Sequence, residues 1–129
     1  MASELRVNTL KDAAGANSVA MTYVAGGSAK AWVHYTGTGT QVIDDSLNTS
    51  GITDGGTGLS TVAFSSSLAN SNYAFTFGGA RSSTPNEMYY AAANDGILVG
   101  SLKLQTWGGS TVTAVDASDV TFIVSGDLA

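Results

Sequence analysis

Sixteen glycines divide the 129-residue chain so evenly that few windows of a dozen residues lack one. A glycine inside a helix costs about 1 kcal/mol relative to alanine, so long helices are disfavoured almost everywhere. The segments between the glycines alternate with period two, the signature of strands with one buried face. Ala31, Val33 and Tyr35 share one face, and Lys30, Trp32 and His34 share the other. Val62 and Phe64 alternate with Thr61, Ala63 and Ser65, and Tyr73, Phe75 and Phe77 with Ala74 and Thr76. Leu102 and Leu104 alternate with Lys103 and Gln105 after Gly100, and Val120, Phe122 and Val124 with Thr121, Ile123 and Ser125.

Turn clusters separate these runs: Gly26-Gly27-Ser28, Gly37-Thr38-Gly39, Asp54-Gly55-Gly56, Asn94-Asp95-Gly96 and Gly108-Gly109-Ser110. Asp-Gly supplies the positive φ angles of a type I′ turn, so Asp54-Gly55-Gly56 and Asn94-Asp95-Gly96 are predicted to turn hairpins. Strands at this spacing, each closed by glycine, predict an all-β chain: an antiparallel β-sandwich, jelly-roll-like, over residues 26–129. The segment 1–25 reads differently. It holds one short strand candidate around Leu5–Leu10, a polar turn at 12–18 and the run Val19–Val24. It is predicted to be an arm or edge element that docks on another subunit, because alone it buries little.

Charge narrows the function. Arg6, Lys11, Lys30, Arg81 and Lys103 are scattered against ten acidic residues, for a net charge of −5. Nucleic-acid binding needs a concentrated positive patch and is set aside. There is no cysteine, which removes disulfides, thiolate zinc sites and thiol catalysis. No run approaches the roughly 18 apolar residues of a membrane span, so no membrane insertion is expected. The opening residues lack the apolar core of a secretory signal.

Catalytic patterns are weak. His34 is the single histidine, so a Ser-His-Asp site must use it, yet it sits mid-strand beside Trp32 and no G-x-S-x-G elbow occurs. Gly37-Thr38-Gly39 lacks the lysine and the following helix of a phosphate loop. Asp44, Asp45, Asp54, Asp116 and Asp119 lie near turns without the spacing of a calcium loop, and they read as solvated turn aspartates. The expectation is a non-enzymatic protein with no catalytic residue, no metal and no cofactor. Exposed aromatics carry more weight. Trp32 and Trp107 stand on the less apolar face of their strands, where they suit a second sandwich face or a subunit seam. The loop around Pro85 leads into Met88-Tyr89-Tyr90 and is the most loop-like stretch of the chain.

Several segments resemble one family. Leu5, Val7, Asn8, Thr9, Leu10, Asp12 and Gly15 form an "L-x-V-N-T-L-x-D-x-x-G" stretch. It is similar to the opening of small virion and tail-fibre-like proteins of marine and freshwater bacteriophages. Lys30-Ala31-Trp32-Val33-His34-Tyr35-Thr36-Gly37-Thr38-Gly39-Thr40 resembles their "K-A-W-V-N-F-N-G-T-G-T" element, with His34 where that group often has Asn. Ile52-Thr53-Asp54-Gly55-Gly56-Thr57-Gly58, Ala69-Asn70-Ser71-Asn72-Tyr73-Ala74 and the closing run Val120–Leu128 are similar to later elements, with Leu59-Ser60 in place of the group's Asp-Tyr.

The resemblance implies a structural β-domain on the exterior of a phage virion, a homotrimer. No heptad or collagen-like repeat that would make a fibre shaft occurs in the chain. The expected role is therefore a capsid decoration, or cement, protein that sits on the major capsid protein and stabilises the head lattice. The docking residues expected are Leu5, Val7, Leu10, Met21 and Tyr23, and the trimer seam is expected at Trp32, Tyr35 and Trp107. The alternative is a tail-fibre or head-fibre tip that binds host-surface glycan through Arg81, Asn86, Tyr89, Tyr90 and Asn94.

Overall fold

From residue 29 onward the alternating runs become two antiparallel sheets packed face to face. The computed structural model describes residues 3–80, 88–108 and 112–129. The first sheet has the order β4 (Val42–Leu47), β3 (Ala29–Thr36), β11 (Asp119–Ser125), β7 (Ala74–Ala80). In the second, β9 (Ser101–Gly108) lies between β8 (Met88–Leu98) and β6 (Leu59–Phe64), and β5 (Thr49–Gly56) flanks β6. The two-residue β10 (Thr113–Ala114) pairs with Trp107 and Gly108 and so continues the β6 side of β9. The fold is an all-β sandwich, as the alternation and the glycine spacing imply.

The faces follow the alternation. Ala31, Val33 and Tyr35 oppose Val124, Phe122 and Val120 in register, and all six are buried. From the other sheet Val62, Phe64, Leu102 and Leu104 meet them. Rings run through the core edge to face: Phe64 to Tyr73 and Tyr73 to Phe75 each at 6.2 Å between centroids. The Tyr73 hydroxyl donates to the carbonyls of Leu98 and Ser101 at 3.1 and 3.2 Å, which ties the lead into β7 to the β8–β9 hairpin. Asn48 makes the corner from β4 to β5, that is, from one sheet to the other. It takes φ +54°, which asparagine tolerates. Its side chain donates to the Ser66 carbonyl at 3.0 Å and accepts from the Ser66 amide at 2.7 Å.

Two turns differ from expectation. The β5–β6 hairpin turns at Thr57–Gly58, because Gly56 pairs with Leu59, so Asp54, Gly55 and Gly56 remain inside β5. Asn94-Asp95-Gly96 lies within β8 as a bulge, and that hairpin turns at Val99–Gly100. Asp95 has φ +54°, and a side chain at Gly96 would run into the Lys103 backbone and Cβ at 2.8 Å. The Asp-Gly pair thus supplies the left-handed residue and close approach of a bulge rather than the end of a strand.

Tyr35 sits at the centre, 0% exposed. Its hydroxyl lies near Ser60 but meets no partner at hydrogen-bonding distance and angle. Burial pushes this phenol up to about 12, the nearby Ser60 hydroxyl opposes the shift, and Tyr90 adds to it. Burial also raises Tyr73 and Tyr90. An unfolded tyrosine titrates near 10, so the native state holds the Tyr35 proton more tightly. The stability this contributes is fully present below pH of about 10 and is lost as pH rises through about 12, roughly 2–3 kcal/mol in all. Urea midpoints measured across that window should fall, together with the appearance of phenolate absorbance. Tyr35→Phe should flatten the fall and cost little at neutral pH, because the hydroxyl it removes is unpaired.

The N-terminal segment builds a separate small unit. β1 (Thr9–Lys11) pairs with β2 (Ser18–Ala20) across a turn at Asp12–Asn17, where the Asp12 carboxylate accepts from the Ala16 amide and the Asn17 side chain. The helix α1 (Met21–Gly27) follows, in a segment whose sequence shows no helix signal. Lys30 reaches back to its end, donating to the Ala25 carbonyl and to the Ser28 carbonyl and hydroxyl.

Candidate functional site

Two surfaces stand out, and the first is the arm. Residues 3–19 are all exposed, and none of the buried core residues precedes Ala31. Leu5 is 81% exposed and Tyr23 76%, with Val7, Leu10 and Val19 also open, while Met21 is half-buried. Of the five docking candidates, four therefore present apolar surface to solvent. Val19, in the Val19–Val24 run of the expected arm, pairs with Leu10 across the hairpin.

The second surface is the outer face of the first sheet. Register lines up Thr76, Ile123, Trp32 and Leu47 in one row across four strands. The next row holds Gly78, Thr121, His34 and Asp45. A bulge between His34 and Tyr35 inserts Asp44 as the extra residue. Its carboxylate lies 3.5 Å from the Thr36 hydroxyl, which donates to it, and 3.8 Å from His34 Nδ1. On the other side of the ring, Asp119 Oδ1 is 3.4 Å from His34 Nε2. The imidazole is thus set between two carboxylates from β4 and β11. Trp32 and His34 are half-buried, and Ile123 and Leu47 are exposed. An open groove of about 340 Å³ runs along this face, lined by Trp32, His34, Thr76, Gly78, Thr121 and Ile123.

The residues expected at a trimer seam do not form one patch. Tyr35 is buried between the sheets and has no surface to give to a neighbour. Trp32 projects from the first sheet and Trp107, with Lys103 and Gln105, from the outer face of the second. The two indoles leave the sandwich in opposite directions. In a three-fold ring each subunit presents two different patches to its neighbours, so opposite faces do not exclude either indole from the seam.

The expected receptor group is likewise divided. Arg81 and Asn86 lie outside the described residues, as does the side chain of Tyr89. Tyr90 turns inward against the core with its hydroxyl buried, so it cannot serve as a surface contact. Asn94 is exposed and lines a shallow groove with Trp107, Lys103, Gln105 and Leu59.

Three of the aspartates expected near turns accept from backbone amides, two of them locally and Asp116 from the β5–β6 turn. Asp54 accepts from the Gly56 amide at 2.8 Å, Asp45 from the Ser46 amide at 2.8 Å and Asp116 from the Gly58 amide at 2.6 Å. Among the described residues, no three His, Asp or Glu side chains come together as a metal site. No helix among them is long and apolar enough to cross a membrane. No protein-family model matches the chain, and no curated protein or solved structure matches it.

Proposed function

We propose that the chain is a non-enzymatic structural protein of a bacteriophage particle, a trimeric decoration protein on the exterior of the head that attaches through its N-terminal arm. The observation that carries this reading is the arm itself. A hairpin with three residues to a strand is marginal alone in water. This one exposes Leu5, Leu10, Val19 and Tyr23 while adding nothing to the core. Such apolar surface is stabilised when a partner covers it. The likeness of the Leu5–Gly15 stretch to the opening of phage virion proteins supports the major capsid protein as that partner. The Trp107 face, with the alanine-rich strand β8 beside it, is the better of the two tryptophan faces for a subunit seam, because among the described residues no carboxylate lines its groove, whereas Asp44 and Asp119 flank His34 beside Trp32.

A protein that binds only the expanded lattice stabilises it by mass action, by about 2.7 kcal/mol at a hundredfold excess over Kd. Mixing the full chain with emptied phage heads should raise the temperature at which they disrupt. In the Leu5→Asp, Leu10→Asp double variant, cosedimentation with the heads should fall by about a hundredfold, because two buried apolar contacts become desolvated charges. The melting of the sandwich should not change, since neither side chain touches its core. A wild-type chain that neither cosediments with heads nor protects them would refute the assignment.

A further inference from the structure

We propose that the groove on the outer face of the first sheet is a binding site for an uncharged, hydroxyl-rich saccharide, with Trp32 as its stacking platform. The site is independent of the arm and of attachment to a particle.

The argument begins with the register. Residues two apart on a strand lie about 6.7 Å apart on the same face, roughly the length of one pyranose ring. Trp32 and His34 hold that spacing on β3. An occupant one sugar unit long therefore meets an apolar row at one end and a polar row at the other. Gly78 keeps the groove open: a side chain there would crowd the Thr121 hydroxyl at 2.9 Å.

Carboxylates flank the polar row. The carboxylates of Asp44, Asp45 and Asp119 bring acceptor oxygens. Asp44 Oδ2 takes the Thr36 hydroxyl and Asp119 Oδ2 the Ser118 hydroxyl, while Asp119 Oδ1 faces the imidazole. The groove's own lining adds the Thr76 and Thr121 hydroxyls and the indole and imidazole nitrogens of Trp32 and His34, so donors and acceptors stand side by side. Its complement is a molecule that offers several hydroxyls, each both donor and acceptor, along one edge and a C–H face for the indole, which describes a neutral pyranose.

Charge excludes the simplest rivals. Anionic sugars and phosphates would meet three carboxylates. A second copy stacked on the same face would set those carboxylates against their own images, at a cost of like-charge repulsion. Among the described residues, which do not include Arg81, little positive charge is placed to answer them. Arg6 is paired with Glu4 at 3.0 Å, Lys30 is turned onto the end of α1, and Lys103 stands on the opposite face of the sandwich. The remaining competitor among the described residues is the arm of a second copy, which brings Lys11 beside Leu10.

The test uses the full chain with Trp107→Phe, so that Trp32 is the remaining tryptophan and its emission reports on this face alone. The probes are cellotriose, maltotriose and lactose, with sialyllactose as the anionic comparison, followed by fluorescence and saturation-transfer NMR. A saturable millimolar response to at least one neutral sugar, and a weaker one to sialyllactose, is expected. In NMR of the otherwise unmodified chain, Trp32→Ala should weaken binding at least about tenfold, the loss of one stacked ring face. Trp32→Phe should restore part of it, which separates lost stacking from lost folding. Asp119→Asn should weaken binding several-fold, and Gln105→Ala on the opposite face should leave it unchanged. No saturable response to any neutral sugar overturns the proposal, and so does an equal response in Trp32→Ala. A Trp32 emission change that follows protein concentration without sugar, and is removed by Lys11→Glu, would assign the face to a second copy's arm instead.

Discussion

Phe122→Ala is expected to lower the free energy of unfolding by about 3–5 kcal/mol. Phe122 is 1% exposed on β11, the strand that joins β3 to β7, and lies opposite Val33 on one side and Phe77 on the other. Its removal takes a ring out of the contact between the two sheets and leaves a void that three strands must share. A domain of this size has roughly 5–15 kcal/mol of stability in total, so the variant should lose a large part of it. The neighbouring Ile123→Ala is the internal comparison. Ile123 points the other way and is 51% exposed, so its truncation should cost about 1 kcal/mol or less. Urea midpoints of the two variants measure the alternation directly: equal losses would mean that β11 is not half-buried as described.

That contrast also marks what the sequence could and could not convey. Period-two alternation reveals the buried face wherever one face meets a core, and for β3, β6, β9 and β11 the residues it pairs together are the ones that pack. It is a local signal, however, and the site on the first sheet is not local. His34 meets Asp44 and Asp119 only because β3 pairs with β4 on one side and with the last strand on the other. The residues near His34 in sequence contain no acid, and no spacing announces a bulge at Asp44. The same limit explains the two tryptophans. Each was legible as an outward residue of its own strand, but the fact that they leave opposite faces depends on which sheet each strand joins.

The misplaced turns have a different cause. Asp-Gly reports that a left-handed backbone angle is available, and it does not say whether the strand ends there. In β8 the partner strand continues past Asp95, with Ile97 and Leu98 paired to Leu102 and Ser101, so the ladder absorbs the kink. The helix α1 was hidden for a related reason: it ends on the two glycines that read as a turn, and it has no side-chain cap or buried face to produce a periodic signal. The arm's role was more legible than its shape, because exposed Leu5, Leu10 and Tyr23 follow from a segment too short to bury them.

Gly58→Ala should cost about 3 kcal/mol or more, and the reason is a convergence that glycine alone permits. Gly58 is the second residue of the β5–β6 turn, buried, at φ +68°. Its carbonyl accepts from the Thr106 amide at 2.8 Å and from the Thr106 hydroxyl at 3.3 Å, and its amide donates to Asp116 at 2.6 Å. A methyl group there would stand 2.5 Å from the Thr106 carbonyl oxygen and 2.8 Å from that of Val115. Both are backbone atoms held in place: the Thr106 carbonyl accepts from the Val115 amide, and the Val115 carbonyl from the Thr106 hydroxyl. No rotamer can move away, so the turn, β9 or the 115–116 segment must shift and lose a buried hydrogen bond. Gly39→Ala isolates the contribution of the backbone angle. Its φ is +65°, almost the same, but a methyl group would find nothing within 4 Å. That variant should lose only about 1 kcal/mol, the ordinary cost of an L-residue in the left-handed region. If chemical denaturation gave the two alanine variants the same loss, the close packing of the β5–β6 turn against β9 would be wrong. A loss two or three times larger at Gly58 would mean that this glycine is retained for space as well as for its backbone angle.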